Sequence, residues 1–305
     1  MGPGAPDVVG FVGLGLMGSA MSANVLDAGF DVVGFDVDEE RVAAFASRGG
    51  RPDSLAGVAA ECPVIVLSLP NSDVVRSVCL GPGSLAAGAA AGTLVIDTTT
   101  GRPADTEEIG AALEAAGIRY VDATLSGNSA MAARRDLVAM VGGSHQDVAA
   151  ARPVLEAMTR SIHHLGPVGS GSRTKLVVNL VVGVHRLVLA EGLVMGEKSG
   201  LDLGVLLAVL KDSAASSKAM DLWGDRMVTG DHFPPDSRVR QSHKDFRLIV
   251  EQGESVAAPT WLASTVRRTL EIAEADGLAD ADNSAVAEVL RRAAGIGRVP
   301  RNGAG

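Results

Sequence analysis

Residues 8–36 read VVGFVGLGLMGSAMSANVLDAGFDVVGFD, which is a strand, a glycine-rich turn, a helix and a second strand without a break. Val8 to Val12 is a short apolar run of the length of a fully buried parallel strand. Gly13-Leu14-Gly15-Leu16-Met17-Gly18 then satisfies G-x-G-x-x-G. In that pattern one glycine allows the tight turn, one lets the backbone approach a pyrophosphate, and one permits close helix–strand packing. A helix starting near Gly15 points its free N–H groups and the positive end of its dipole at the same place. Val32 to Phe35 gives the second strand and Asp36 closes it, about 20 residues after the turn, where a carboxylate accepts hydrogen bonds from a ribose diol. The glycine string alone could be a turn between any strand and helix. The strand before it, the helix after it and Asp36 make it a dinucleotide site. A carboxylate at position 36 repels a 2′-phosphate, and no Arg follows directly in Asp36-Val37-Asp38, so NAD is expected over NADP.

The pattern repeats along the chain. Asp38-Glu39-Glu40 leads into a short helix over Val42 to Ala46, with acids in its first turn as the helix dipole favours. Val64–Leu67 and Leu94–Asp97 read as buried strands, followed by Ser68-Leu69-Pro70-Asn71 and Thr98-Thr99-Thr100-Gly101 at their C-terminal ends. Ligands bind at those ends in doubly wound sheets. The threonines either hydrogen-bond a ligand or cap the helix that Pro103 opens. Tyr120–Ala123 and Leu137–Val141 are further strands, and their alternation with helical stretches predicts a parallel sheet covered on both faces. From about Gly169 the strand-like runs stop and a long helix is expected over Ser172–Lys198. The expected fold is therefore α/β: an N-terminal doubly wound Rossmann-type domain, residues 1–168, then an all-helical C-terminal domain, residues 169–305.

A chain of 305 residues with 47% hydrophobic side chains can bury two cores, and with 3% aromatics those cores are built from Val, Leu, Ala and Met. The net charge of −9 argues against a nucleic-acid surface. Only the end, Arg291-Arg292 and Arg298 to Arg301, is basic, and it reads as a solvated, frayed tail. Cys62 and Cys79 lack metal-ligand spacing, so neither a metal nor a disulfide framework is expected. The leader MGPGAPD has no apolar signal core, which points to the cytoplasm. Leu176–Gly196 is the longest apolar stretch, but Asn179, His185, Arg186 and Glu191 interrupt it, so it reads as a buried helix and not a membrane span.

Within that helix Lys175 and Asn179 are one turn apart and share a face, and Gly183 continues the line with no side chain. A lysine and an asparagine beside the domain joint suit a proton donor and a group that orients substrate. The alternative is a solvent-facing Lys with a helix-breaking Asn. Burying unpaired polar groups is costly, which favours a functional reading in so apolar a helix.

These blocks together resemble the β-hydroxyacid dehydrogenases, the group that includes 3-hydroxyisobutyrate dehydrogenase and tartronate semialdehyde reductase. FVGLGLMGSAMSANVL looks like the family's cofactor-binding start, and DATLSGNSAMAARRDLVAMVGG stands where members carry the segment that receives substrate. GPVGSGSRTKLVVNLVV is similar to the block that supplies a catalytic lysine, and QSHKDFRLI to the family's KDLxLA block. The resemblance implies Lys175 as the proton-transfer residue and Asn179 as the side chain that orients substrate, with Ser126, Gly127 and the neighbouring Asn128 holding a small carboxylate. It also implies that Thr100 faces the nicotinamide, that Leu69 and Pro70 line the cofactor cleft, and that Lys244 approaches the cofactor from the helical domain, while Asp245 braces its own helix. Lysine suits the role because desolvation lowers its pKa toward the working range. In the family the helical domain commonly mediates dimer or tetramer formation, so the resemblance implies a homodimer or homotetramer.

The sequence departs from the family where Asn128 replaces a second glycine, where Arg135-Asp136 replaces a Gly-Thr pair, and where Val178 replaces the first of two asparagines. Arg134 and Arg135 read as a solvated loop in preference to a second anion site. His163 and His164 have no partner at metal spacing and read as structural. Arg238, Arg240 and His243 stand where they could reach an anionic substrate. The expected activity is hydride transfer between NAD and a small 3-hydroxy acid, such as 3-hydroxyisobutyrate or a tartronate semialdehyde/glycerate-like acid. Two alternatives stand beside it. One is an imine reductase-like NAD(P)H-dependent reductase, against which Lys175 with Asn179 counts. The other is a non-catalytic dinucleotide-binding module, which the altered loop at Asn128 and Arg135 allows.

Overall fold

The structure, a computed structural model, describes residues 7–297. The start of the leader and the basic segment Arg298–Arg301 lie outside the described residues. The chain forms two compact units, residues 1–175 and 176–305.

The first unit is built on a sheet of β1 (Val8–Val12), β2 (Asp31–Phe35), β3 (Arg51–Pro52), β4 (Val64–Leu67), β5 (Leu94–Asp97), β6 (Arg119–Ser126), β7 (Val138–Gly142) and β8 (Ser161–His164). Their order is β3-β2-β1-β4-β5-β6-β7-β8. The connecting helices are α1 (Leu16–Asp27), α2 (Glu39–Ala46), α3 (Leu55–Glu61), α4 (Ser72–Leu80), α5 (Leu85–Gly88), α6 (Pro103–Ala115), α7 (Ser129–Ala133) and α8 (His145–Met158). Strands β1 to β6 run parallel, and β1, β4 and β5 are unbroken apolar runs because helices cover both faces of the sheet. Phe11, Met21, Val66 and Ile96 pack on one face, and Ile65, Leu67, Val95 and Leu113 on the other. Cys62 and Cys79 are free and buried, and burial pushes the Cys62 thiol up to about 11.

The sheet is not wholly parallel. β7 pairs antiparallel to β6, with Ser126 opposite Val138, and β8 then pairs parallel to β7. The segment 127–137 between β6 and β7 holds only the short α7, and a parallel return needs a longer crossover. β8 itself carries His163 and His164, and the His164 Nε2 lies 2.9 Å from the Gly143 carbonyl oxygen, a structural role as expected.

The second unit is helical. It takes α9 (Ser170–Lys198) from Leu176 onward, then α10 (Leu203–Asp212), α11 (Lys218–Thr229), α12 (Val239–Ser255), α13 (Trp261–Ala275) and α14 (Val286–Ala293). Leu189, Leu193, Trp223, Met227, Phe246 and Leu270 form its core. α9 is long and apolar enough to cross a membrane by length and composition, but only one of its faces is buried. Val177, Val181, Val188 and Met195 are exposed, and at 100° per residue they fall on one stripe.

Arg291 and Arg292 are not a frayed tail. Arg291 is 1% exposed and donates to Glu197 Oε2 at 2.8 Å, Glu288 Oε1 at 2.7 Å and the Met227 carbonyl at 2.8 Å, while Arg292 pairs with Asp276. Carboxylates on neighbouring helices turn a basic pair into a core fastening. Removing one partner of a buried ion network leaves the others uncompensated, so Arg291→Met should lower stability by about 3 kcal/mol in urea denaturation. A loss below about 0.5 kcal/mol would place it with ordinary surface pairs.

Candidate active site

The three glycines of the turn are glycine for three different physical reasons. Gly13 has φ +95°, and a Cβ there would collide with the Ser68 carbonyl oxygen. A Cβ on Gly18 would collide with the Gly13 carbonyl oxygen, so α1 can lie this close to the strand only without one. Gly15 has an ordinary extended conformation, and the nearest atom to a Cβ there is Arg41 Nη1 at 3.7 Å. Nothing among the described residues requires glycine at 15, so the start of α1 has room there for a ligand to approach the backbone. Leu16 is more than half exposed beside it, and Met17 packs on the core.

Asp36 is brought onto this turn. Its Oδ2 accepts the Leu14 N–H at 2.7 Å and its Oδ1 the Asp38 N–H at 3.0 Å. Each oxygen keeps a second lone pair for a ribose hydroxyl. No Arg directly follows, yet Arg41 in the first turn of α2 reaches back to 3.0 Å from Asp38 and 3.6 Å from Asp36. The sequence signal for this was Arg41 three positions after the capping Asp38, a spacing that turns its side chain back toward the start of α2. Gly13, Gly15, Gly18, the Leu14 backbone and Asp36 thus lie together and are the residues that could hold NAD.

The C-terminal ends of β4, β5 and β6 add the next side chains. Leu69 and Pro70 follow β4, and Leu69 lies 3.2 Å from the Cβ position of Gly13. The Leu69 N–H donates to Thr99 Oγ1 at 3.2 Å, the Thr99 N–H donates to Asp97 Oδ1 at 2.9 Å, and the Tyr120 hydroxyl donates to Asp97 Oδ2 at 2.8 Å. Burial pushes the Asp97 carboxyl above the usual range, against the pull of these donors. This chain of bonds ties the Leu69-Pro70 turn to the turn that carries Thr100. Ser126 ends β6 instead of opening the loop. Gly127 has φ +140° and no room for a Cβ beside Leu137. Asn128 caps α7 by accepting the Met131 N–H at 2.9 Å, which leaves its amide N–H groups for other partners.

Lys175 is 8% exposed, and its Nζ donates to the Leu125 carbonyl oxygen at 2.5 Å, adjacent to Ser126. It is not a solvent-facing lysine. In the second unit Asn179 donates from its amide to Asp245 Oδ2 at 3.0 Å, so Asp245 holds α9 and does not merely brace its own helix. Lys244 Nζ lies 3.2 Å from Asp245 Oδ1. The space at Gly183 is taken by the Phe246 ring, which would collide with any Cβ there. Arg238 and Arg240 pair with Asp280, and His243 lies 2.7 Å from Glu274, so these three are engaged within the helical unit. Arg135 sits at φ +58° with its guanidinium 3.3 Å from the Asn24 carbonyl, in the left-handed conformation that glycine adopts without strain.

A cavity of about 790 Å³ opens at the other end of the sheet, lined by Glu107, Tyr120, Gly143, His145 and His164. Apart from Tyr120, whose hydroxyl faces Asp97, it shares no residue with the candidate site, which gathers the conformationally restricted backbone and the buried lysine at the glycine-turn end.

The first unit matches the model for the NAD-binding domain of 6-phosphogluconate dehydrogenase over residues 8–166, and the helical part matches the NAD-binding model of NADP-dependent 3-hydroxyisobutyrate dehydrogenase over residues 169–290. The chain is 33% identical to 2-(hydroxymethyl)glutarate dehydrogenase of Eubacterium barkeri, over 94% of this chain and 96% of that one. It is 31% identical to 3-sulfolactaldehyde reductase of Escherichia coli K12, over 94% and 97%. Among solved structures, 3-hydroxyisobutyrate dehydrogenase of Mycobacterium tuberculosis with L-serine is similar at 32% identity and a TM-score of 0.84, covering 93% of this chain and 99% of that one.

Two outcomes follow from the turn. Gly15→Ala should fold with an unchanged midpoint, within about 2 °C, and weaken NADH binding at least tenfold by fluorescence titration. Unchanged affinity would mean that no ligand uses the open space. The Asp36 carboxylate should favour NAD over NADP at least tenfold in kcat/KM, since about 1.4 kcal/mol of differential binding gives that factor, and Asp36→Ala should shrink the ratio. Equal efficiency with NADP in the unaltered protein would contradict the role of Asp36.

Proposed function

The chain belongs to the β-hydroxyacid dehydrogenase family, and from that premise we propose that this NAD-dependent dehydrogenase oxidises a compact 3-hydroxy acid, with Lys175 moving the proton. The observation that carries the proposal is the buried Lys175 amine held beside Ser126 by the Leu125 carbonyl. A backbone carbonyl accepts from that nitrogen in either charge state, so the amine keeps its place when it gains or loses a proton. Three of the substrates named for similar proteins support the class: 2-(hydroxymethyl)glutarate, 3-hydroxyisobutyrate and L-serine each place a primary alcohol one carbon beyond the carbon that bears the carboxylate. In the reductase of 3-sulfolactaldehyde a sulfonate takes the place of that acid group.

Bound NAD supplies the hydride acceptor. Neutral Lys175 Nζ takes the hydroxyl proton during oxidation, and in the reverse direction its ammonium polarises the carbonyl oxygen and returns the proton. Ser126 and the Gly127 backbone hold the carboxylate, with Asn128 at the edge of the same loop. Asn179, one turn along α9 and fixed by Asp245, orients the alcohol. Thr100, Leu69 and Pro70 border the nicotinamide, and Lys244 serves the cofactor from the helical domain, residues 169–305. The apolar stripe of Val177, Val181, Val188 and Met195 supports a homodimer or homotetramer assembled through α9, since a monomer rarely leaves such a face in water.

The test is a turnover screen of 3-hydroxyisobutyrate, L-serine and 2-(hydroxymethyl)glutarate with NAD, followed by Lys175→Met. General acid–base catalysis contributes about 10² to 10⁴ in rate, so turnover should fall by at least the lower figure while NADH affinity stays unchanged. Lys175→Arg should not rescue it, because a guanidinium stays protonated. A Lys175→Met protein retaining more than about a tenth of the turnover would remove Lys175 from the mechanism.

A further inference from the structure

Four residues before Ser126, in the middle of β6, stands a carboxylate that the reaction does not use. Asp122 is 1% exposed, and both its oxygens are spent on the start of α9: Oδ1 accepts the Gly169 N–H at 2.8 Å and Oδ2 the Ser172 N–H at 2.7 Å. The first N–H groups of a helix have no partner within it and ordinarily find one in the preceding residue. Here a strand residue 47 to 50 positions upstream supplies it. The neighbourhood is shaped around this contact. A Cβ on Gly142 would collide with Asp122 Oδ1, and one on Gly171 would come within 2.9 Å of Oδ2. Thr124 Oγ1, two residues along the same strand, donates to the Gly171 carbonyl at 2.9 Å, and Leu125 accepts from Lys175.

We infer that Asp122 is a positioning residue: by accepting the Gly169 and Ser172 amides it fixes the first turn of α9, and so the Lys175 amine, to the strand whose end carries Ser126. This rests on the reading of Lys175 and Ser126 given above. The consequence is that acid and substrate-holding loop share one rigid mount, and that the mount depends on a charge. Burial pushes the Asp122 carboxyl up to about 6, against the pull of its two amide donors. Above that pH it is ionised and accepts both amides; protonated, one oxygen becomes a donor and one amide loses its acceptor. The ionisable groups around it are Asp97, its register partner on β5, Tyr120 on β6, the pair of Glu107 on α6 and Arg173 on α9 flanking Gly169, and Lys175 one turn further along α9; β7 contributes none, and Arg119 at the start of β6 is engaged by Asp147.

Hydrogen exchange of peptides spanning residues 166–176 tests this in the full chain. In Asp122→Asn those amides should exchange at least tenfold faster than in the unaltered protein, while peptides from residues 8–36 and 261–275 do not change. In the unaltered protein, protection of the same segment, corrected for intrinsic exchange, should fall as pH drops from 7 to 5, an outcome readable even if the variant folds poorly. Turnover of the substrate identified by the screen should fall at least tenfold in kcat with KM for the nicotinamide cofactor within twofold. In the reduction direction, the acid limb near pH 6 should disappear in Asp122→Asn. Equal protection in Asp122→Asn, or flat protection from pH 5 to 8, overturns the inference. If Lys175→Met keeps its turnover, the proton-transfer reading falls, and the exchange data still decide whether Asp122 holds the helix.

Discussion

Gly18 and the Gly13 carbonyl oxygen are so close that no side chain fits between them, and the first unit is arranged around that approach. It sets α1 against the turn after β1, which aims the helix's unpaired N–H groups past Gly15. It also leaves Leu14 where its amide meets Asp36 at the tip of β2. Two neighbouring strands, one turn and one helix are thereby fixed by backbone sterics and a single carboxylate. The same arrangement leaves the free N–H groups at the start of α1 pointing past Gly15, the kind of helix terminus that favours an anion.

The other half of the candidate site is mounted on β6. That strand lies near the middle of the sheet, with β5 parallel on one side and β7 antiparallel on the other, and its residues take different tasks according to depth. Asp122 and Thr124 hold the start of α9, the Leu125 carbonyl holds the Lys175 amine, and Ser126 ends the strand at the loop. Buried polar groups are tolerated in a core only when partnered, and here every one of these is. The polar interior of the unit is therefore ordered, with Asp97, Tyr120 and Thr99 doing for the β4 and β5 turns what Asp122 does for α9.

Much of this was legible in the sequence, for identifiable reasons. Strands buried on both faces leave continuous apolar runs, so β1, β4 and β5 announce themselves, and the glycine turn has a fixed local spacing. Lys175 and Asn179 share a face through helix periodicity alone. The edge strand β8, Ser-Ile-His-His, is half exposed and leaves no such run, and the two-residue β3 leaves less. The antiparallel return of β7 depends on how little chain joins it to β6, which a list of strands does not express. Pairings across tens of residues have no local signature. Asp122 with Ser172, Arg291 with Glu197 and Asp245 with Asn179 all belong to this group.

The antiparallel return of β7 has an evolutionary reading. Because Ser126 pairs with Val138 and Leu125 with Ala139, the segment 127–137 is a hairpin loop whose two ends are clamped by the sheet. Its length and composition can drift without shifting the register of β6, and so without disturbing the mount of Lys175. Asn128 and the left-handed Arg135 are substitutions confined to that loop. The fold thus leaves the loop beside the candidate site free to vary while the strands that carry the start of α9 stay in register.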